Sequence, residues 1–118
     1  MLDDITRTRL TEAGVDIEDA LNRFMGKDDL LVKILKKLDQ DNNYQLYKLA
    51  MAVENYEEAF NAAHALKGVT GNLSIMPLYR ILCEEVEYLR HHEYKKAKEL
   101  TTPVINEYDR VLKIFDEL

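Results

Sequence analysis

Apolar residues recur at spacings of three and four along nearly the whole chain, and this periodicity limits the fold more than any other feature. The spacing places apolar side chains on one face of an α-helix, and no stretch keeps the strict alternation of a half-buried strand. No internal repeat is apparent. The pattern therefore predicts an all-α fold.

Capping and breaking residues divide the first half of this periodic sequence. Asp16 is a candidate N-cap for a short helix over 17–25, and Gly26 would end it. A longer helical segment over 28–53 follows, interrupted near residue 41 by a run of Asp, Gln and Asn residues. We expect helix on both sides of this break, with a change of phase across it.

The second half of the sequence predicts three longer helices, over 56–72, 77–91 and 93–117. Pro77 is tolerated in the first turn of its helix. Pro103 lies inside the last segment, where it removes a backbone hydrogen bond, so we expect a kink there. Short connections make neighbouring helices antiparallel. We predict an antiparallel four-helix bundle with a short additional N-terminal helix and a kinked C-terminal helix.

Length, charge and cysteine content narrow the class of protein. The 118 residues suffice for one core, so we predict a single domain over 1–118. The net charge of -6 offers no broad positive field, which argues against nucleic acid or a membrane as a partner. Cys83 is the only cysteine and is expected to be a small buried hydrophobe. Without a signal sequence or a membrane span, we expect a cytoplasmic location. We also expect a monomer that needs no cofactor.

The helix over 56–72 directs one histidine away from its apolar stripe. This stripe comprises Ala59, Ala62, Leu66, Val69 and Leu73. At about 100° per residue the stripe lies opposite His64, which therefore points outward. Lys67, Gly68 and Gly71 follow His64 at spacings of three, four and seven, so they share its face. A lone surface histidine usually has no function, but this one lies beside a cation and two positions without side chains.

Two glycines inside one helix need an explanation, because each costs about 1 kcal/mol relative to alanine. Bare positions at Gly68 and Gly71 would let another protein approach the imidazole closely, while Lys67 offsets negative charge on an incoming phosphoryl group. Close helix packing or a frayed helix end is the alternative, and for Gly71 both explanations stay open.

Residues His64 to Gly68 read His-Ala-Leu-Lys-Gly, which resembles the H-x-L-K-G signature of histidine phosphotransfer (HPt) domains. Residues 15–30 resemble the opening helix and turn of that family, and 78–89 resemble the helix that follows the histidine, so the resemblance covers about residues 14–92. Val69 departs from the pattern, because many members carry a small polar residue there. Thr70 is a weak substitute for any hydrogen bond that such a residue gives the phosphoryl group.

The resemblance implies a phosphoryl carrier in a multistep two-component phosphorelay. His64 would attack, through Nε2, an aspartyl phosphate held by a response-regulator receiver domain, and would pass the phosphoryl group to another receiver. The receiver would supply Mg²⁺ and most of the catalysis, so the chain is expected to be a phosphotransfer protein and not an enzyme. A hybrid sensor histidine kinase is the other kind of partner that the resemblance implies. A neutral imidazole is a competent nucleophile near pH 7.

Other residues are predicted to assist His64. Reflection of position 64 through the turn near residue 74 reaches 84–88, where Glu84, Glu87 and Tyr88 are candidates to orient the imidazole. We choose Glu87, against the alternative that it lies on an ordinary solvated helix face. Phe60 is either an interface anchor or a residue partly buried at the edge of the bundle. The expected partner-binding surface comprises Glu57, Phe60, Asn61, Gly68 and Gly71.

Three other functions compete with this interpretation. A metal site is disfavoured, and we predict none, because no histidine of the chain has the glutamate three residues earlier that carboxylate metal sites in helical bundles use. A non-phosphorylated interaction adaptor would use the same bare face to bind a protein. In the third alternative, a kinase domain phosphorylates His64 directly. Transfer of phosphate from a phosphorylated receiver separates the phosphocarrier from the adaptor.

Overall fold

The structure, a computed structural model, describes residues 2–118 and is all-helical. Met1, the first residue of the predicted domain, lies outside the described residues. A single 3₁₀ turn, Leu38–Gln40, separates the third and fourth helices. The helices are α1 Asp4–Glu12, α2 Ile17–Arg23, α3 Asp28–Lys36, α4 Asn42–Ala52, α5 Tyr56–Asn72, α6 Met76–Arg90 and α7 Tyr94–Asp116.

The helices predicted from the sequence are confirmed, with ends that differ by at most two residues, except that α3 ends at Lys36, ahead of the predicted break near residue 41. Asp16 caps α2 as predicted, because its side chain accepts a hydrogen bond from the Asp19 backbone N–H at 3.1 Å. The predicted break near residue 41 is the 3₁₀ turn, after which Asp41 caps α4. Helix α7 continues through Pro103. The kink expected there stays a prediction.

The prediction of only one short N-terminal helix was wrong, because α1 precedes α2. Asp3 caps α1 by accepting a hydrogen bond from the Thr6 backbone N–H at 2.8 Å. Leu10 is the one residue of α1 that is buried, while Ile5 of the same helix is 68% exposed. The apolar periodicity of this segment is therefore too weak to indicate a helix, although α1 packs against α7 and α2.

The core is formed mainly where consecutive helices pack on each other. Helix α5 packs against both α4 and α6, and α6 packs against α7. The apolar stripe predicted for α5 faces this core, since all its members are buried except Val69, which is half-buried. No helix in residues 2–118 has the length and apolar character needed to cross a membrane.

A short backbone pairing attaches the start of α2 to the turn between α5 and α6. Val15 and Ile75 form an isolated antiparallel bridge. In it the Asp16 N–H donates to the Ser74 carbonyl at 2.9 Å, and the Met76 N–H donates to the Gly14 carbonyl at 3.0 Å. The bridge holds α2 against the C-terminal end of α5, the helix that carries His64.

One carboxyl group is buried in the core, which the sequence did not predict. Glu85 of α6 is fully buried, and Tyr47 of α4 donates a hydrogen bond to its Oε1 at 2.5 Å. Its Oε2 has no hydrogen-bond partner in residues 2–118. Burial is the main cause that raises the pKa of Glu85 to about 7, while the hydrogen bond from Tyr47 and the nearby Thr101 of α7 act in the opposite direction.

Candidate functional site

Helix α5 places His64 on the surface, as predicted. Asn55 caps the helix by accepting a hydrogen bond from the Glu58 backbone N–H at 3.3 Å. Two glutamates in the first turn stabilise the helix further, because their negative charge lies at the positive end of the helix dipole. Ala63 and Leu66, on either side of His64, are buried, whereas His64 is exposed. The imidazole therefore stands on the side of α5 opposite the core.

The imidazole of His64 has an aromatic neighbour one turn earlier. Its ring lies 5.8 Å from the ring of Phe60, centre to centre, with a tilt of 39° between the planes. Neither ring nitrogen has a hydrogen-bond partner in residues 2–118. Because the side chain is also exposed, the imidazole can offer a nitrogen with a free lone pair to a partner, which nucleophilic attack requires.

Gly68 and Gly71 lie on this face for different structural reasons. A Cβ atom at Gly68 would meet no side chain and no neighbouring element within 4 Å, so the surface there is open. A Cβ atom at Gly71 would lie 2.9 Å from Cε1 of Tyr79, whose ring packs over this position from α6. Close packing therefore accounts for Gly71, the alternative that the sequence left open, and its role in binding a partner stays a prediction.

Lys67 and Glu87 lie near each other across α5 and α6. Arg90 donates to the Glu87 carboxylate at 2.8 Å and, with smaller contributions from His91 and Lys67, holds the pKa of Glu87 below its ordinary value. No hydrogen bond joins Glu87 to His64 in residues 2–118. The imidazole-orienting role of Glu87 stays a prediction, and its carboxylate is already engaged with Arg90.

The other two candidates for that role and the proposed substitute at position 70 have different surroundings. Glu84 is exposed and accepts a hydrogen bond from the Tyr88 hydroxyl at 3.2 Å. Thr70 is fully buried, and its hydroxyl donates to the carbonyl oxygens of Leu66 and Lys67. Thr70 therefore does not face the His64 surface, so the expectation that it substitutes for a polar residue at position 69 was wrong.

One surface depression adjoins the Phe60 side of His64. Phe60 is half-buried, and the guanidinium of Arg90 lies 5.1 Å from the centre of its ring. Tyr56 and Tyr94 stack at 4.1 Å between ring centres and line the same depression. The remaining predicted partner-binding residues on this side, Glu57 and Asn61, are exposed.

An open depression lies on the other side of His64, and α2 contributes one of its walls. His64, Lys67, Gly68 and Gly71 line it from α5, and Tyr79 lines it from α6. The residues that line it from α2 and its cap are Asp16, Asp19 and Arg23. The sequence did not place any of these three residues beside His64, since Asp16 indicates only a helix cap, and an Asp and an Arg four residues apart indicate only a helical ion pair.

Two further predictions concern metal binding and the cysteine. In the part of the chain that the structure describes, no group of three or more His, Cys, Asp or Glu side chains is placed to hold a metal ion. Cys83 is half-buried on α6 and not fully buried as expected. It lies beside the phenol of Tyr79, whose pKa it raises.

Comparison with known proteins adds no family assignment. No protein-family model, curated protein or solved structure matches the chain. The function of the chain must therefore be inferred from the residues and geometry of the His64 surface.

Proposed function

We propose that the protein is a histidine phosphotransfer domain in which His64 carries a phosphoryl group between receiver domains of a phosphorelay. One observation carries the proposal: the exposed imidazole of His64 has no hydrogen-bond partner in residues 2–118 and lies beside the open surface at Gly68. A receiver can therefore bring its phosphorylated aspartate to the ring without displacing a side chain of α5.

The chemistry requires alignment and charge neutralisation. The lone pair on Nε2 of neutral His64 attacks the phosphorus of the aspartyl phosphate, and the N–P bond forms as the P–O bond to the aspartate breaks. The electron pair of that P–O bond leaves with the carboxylate. Lys67, one turn after His64, offsets charge on the phosphoryl oxygens. Transfer to the second receiver is the reverse of these events, and each receiver supplies its own Mg²⁺.

The proposed architecture is an antiparallel four-helix bundle, in which α3 and α4 together form the first helix of the bundle and α5, α6 and α7 are the other three. The order of packing supports it, because α4 packs on α5, α5 on α6 and α6 on α7, and both α3 and α4 contact α7. Short connections of the kind seen between α5 and α6 join antiparallel neighbours. A cytoplasmic site of action, with receivers and a hybrid sensor kinase as partners, belongs to the same proposal.

Phosphoryl transfer from a labelled receiver tests the proposal. The protein is mixed with members of a panel of receiver domains carrying ³²P on their aspartate, and the product is examined for an acid-labile, base-stable label, as a phosphoramidate requires. We expect labelling of the unaltered protein and none of His64→Gln. His91→Gln is the matched control, because it removes an exposed imidazole at the end of α6 and should label normally.

The outcomes separate the alternatives. Labelling of His64→Gln would show that another residue accepts the phosphoryl group, and the site assignment would be wrong. No labelling by any receiver, with folded protein and competent receivers, would overturn the phosphocarrier proposal and favour the adaptor. Labelling by a kinase domain alone would change the donor but keep His64 as the acceptor.

A further inference from the structure

Two side chains of α2 and one from the turn between α5 and α6 form a connected polar group at the α2 wall of the His64 depression. The Nε of Arg23 donates to Oδ2 of Asp19 at 2.9 Å. The hydroxyl of Ser74, in the turn between α5 and α6, donates to the same oxygen at 2.6 Å. Both hydrogen bonds favour the charged carboxylate, so Ser74 first and Arg23 second hold the pKa of Asp19 below its ordinary value.

Ser74 anchors this polar group to the protein core. It is fully buried, and its backbone has a positive φ of 56°, which the turn and the Val15–Ile75 bridge maintain. Its hydroxyl therefore reaches Asp19 from the protein interior. The Asp19 carboxylate is attached to the core on one side and holds the guanidinium of Arg23 on the other.

Arg23 keeps donors available for another molecule. Only its Nε has a hydrogen-bond partner in residues 2–118, which leaves the two Nη groups free, and 49% of the side chain is exposed. Its position on the His64 side is supported by Tyr79. Arg23 is near the Tyr79 phenol, because its charge opposes the rise in the Tyr79 pKa that contact with Cys83 causes. The ring of Tyr79 also packs over Gly71, on the same face of α5 as His64.

We infer that Arg23 is a docking residue that binds a carboxylate of the receiver partner through its two Nη groups. Asp19 and Ser74 position the Arg23 side chain. This inference rests on the proposed function. A planar guanidinium fork matches a carboxylate, which it can bind through two parallel hydrogen bonds. Lys67 shares α5 with His64 and is placed to meet the phosphoryl group, whereas Arg23 reaches the depression from the opposite wall. Its ligand is therefore an acidic side chain beside the phosphorylated aspartate.

Steady-state transfer from a receiver that labels His64 tests this role. We expect Arg23→Gln to raise KM for the phosphorylated receiver, and Kd for the unphosphorylated one, by about tenfold with little change in kcat. Arg23→Lys should restore only part of the affinity, because an ammonium lacks the fork. Arg80→Gln is the matched control: it removes an exposed arginine of α6 that does not line the depression, so KM should be unchanged.

A separate substitution tests whether Ser74 and Asp19 position Arg23. Ser74→Ala removes the hydroxyl that holds Asp19, and we expect it to raise KM less than Arg23→Gln does, again without a change in kcat. A lowered kcat in a folded Ser74→Ala protein would contradict positioning of a docking residue. If Arg23→Gln changes only transfer from the phosphorylated receiver and leaves Kd of the unphosphorylated one unaltered, a phosphoryl oxygen is the ligand and the carboxylate assignment is overturned.

A small phosphoryl donor separates this inference from the proposed function. Phosphoramidate needs no docking, so we expect it to label His64 equally in the unaltered protein and in Arg23→Gln. Equal KM values for these two proteins with a receiver would overturn the role of Arg23 while the phosphocarrier stands. Absence of labelling by both phosphoramidate and receivers would overturn both.

Discussion

Gly68 and Gly71 lie on the same face of α5 as His64, and only Gly71 is covered by a side chain from another helix. The sequence predicts the face that they share with the imidazole, because helical spacing determines it. It does not predict their different surroundings, since Tyr79 reaches Gly71 only after α5 and α6 have packed. The open position is therefore Gly68, and this is where a partner can approach most closely.

Alanine at each glycine tests this difference. We expect Gly68→Ala to raise the free energy of unfolding by about 0.5–1 kcal/mol, because alanine favours the helix and meets nothing. Gly71→Ala should lower it by about 1 kcal/mol, since the Tyr79 ring must move to admit the methyl group. Urea denaturation measures both changes. Equal effects of the two substitutions would show that Tyr79 does not press on Gly71.

The transfer assay completes the comparison. Gly68→Ala should slow phosphoryl transfer from a receiver despite its greater stability, because the added methyl group stands where the partner approaches. Faster or unchanged transfer would mean that the bare surface at Gly68 does not serve docking.

At the scale of elements, prediction from the sequence succeeded where a helix buries a long apolar stripe. Helices α5 and α6 were predicted nearly to their ends for this reason. Helix α1 was missed because Leu10 alone faces the core along its length, and its contact with α7 joins opposite ends of the chain. The α2 wall of the site was missed for a similar reason, since contacts between distant parts of the chain place Arg23 beside the His64 depression: the bridge between Val15 and Ile75 and the hydrogen bond from Ser74 to Asp19.

The attachment of α2 depends on Gly14, and two glycines provide a matched test of it. Gly14 and Gly26 both have a positive φ, of 84° and 76°, which strains any residue with a Cβ atom. At Gly14 that atom would also lie 2.5 Å from Cδ of Pro77, whereas at Gly26 it would meet nothing within 4 Å. We expect Gly26→Ala to lower the free energy of unfolding by about 1 kcal/mol and Gly14→Ala by about 3 kcal/mol.

Thermal and urea denaturation of the two variants measure these losses. Similar losses would indicate that the start of α2 shifts away from Pro77 at little cost, and that the bridge does not hold it firmly.

At the scale of the whole molecule, Glu85 joins three helices in the core, because it lies on α6 and contacts Tyr47 of α4 and Thr101 of α7. The sequence did not predict a buried acid at position 85, since burial of a charged carboxyl group without a cation normally costs too much free energy. A protonated carboxyl group avoids most of that cost. Its pKa of about 7, raised by burial from 4.5, keeps the proton on the folded protein where the unfolded chain has lost it.

Stability should therefore depend on pH through Glu85. Because its pKa is higher in the folded state, the free energy of unfolding is highest below about pH 4.5 and falls as pH rises towards 7. Glu85→Gln keeps an oxygen for the Tyr47 hydroxyl but cannot ionise, so at pH 8 it should be more stable than the unaltered protein by about 1–3 kcal/mol. Urea denaturation from pH 5 to 8 measures this.

Glu84→Gln is the control for this prediction, because it alters the exposed neighbour of Glu85 and should leave the pH dependence unchanged. Parallel stability curves for Glu85→Gln and the unaltered protein would contradict a titration of Glu85 in this range.

The retained proton also links folding to the acidity of the solution. At pH 6 the unfolded chain has an ionised Glu85 and the folded chain a mostly neutral one, so refolding withdraws close to one hydrogen ion per molecule from the medium through this residue. The folded molecule therefore carries close to one negative charge fewer than it would if Glu85 were ionised. Its electrophoretic mobility and isoelectric point are accordingly properties of the packed core as well as of the surface.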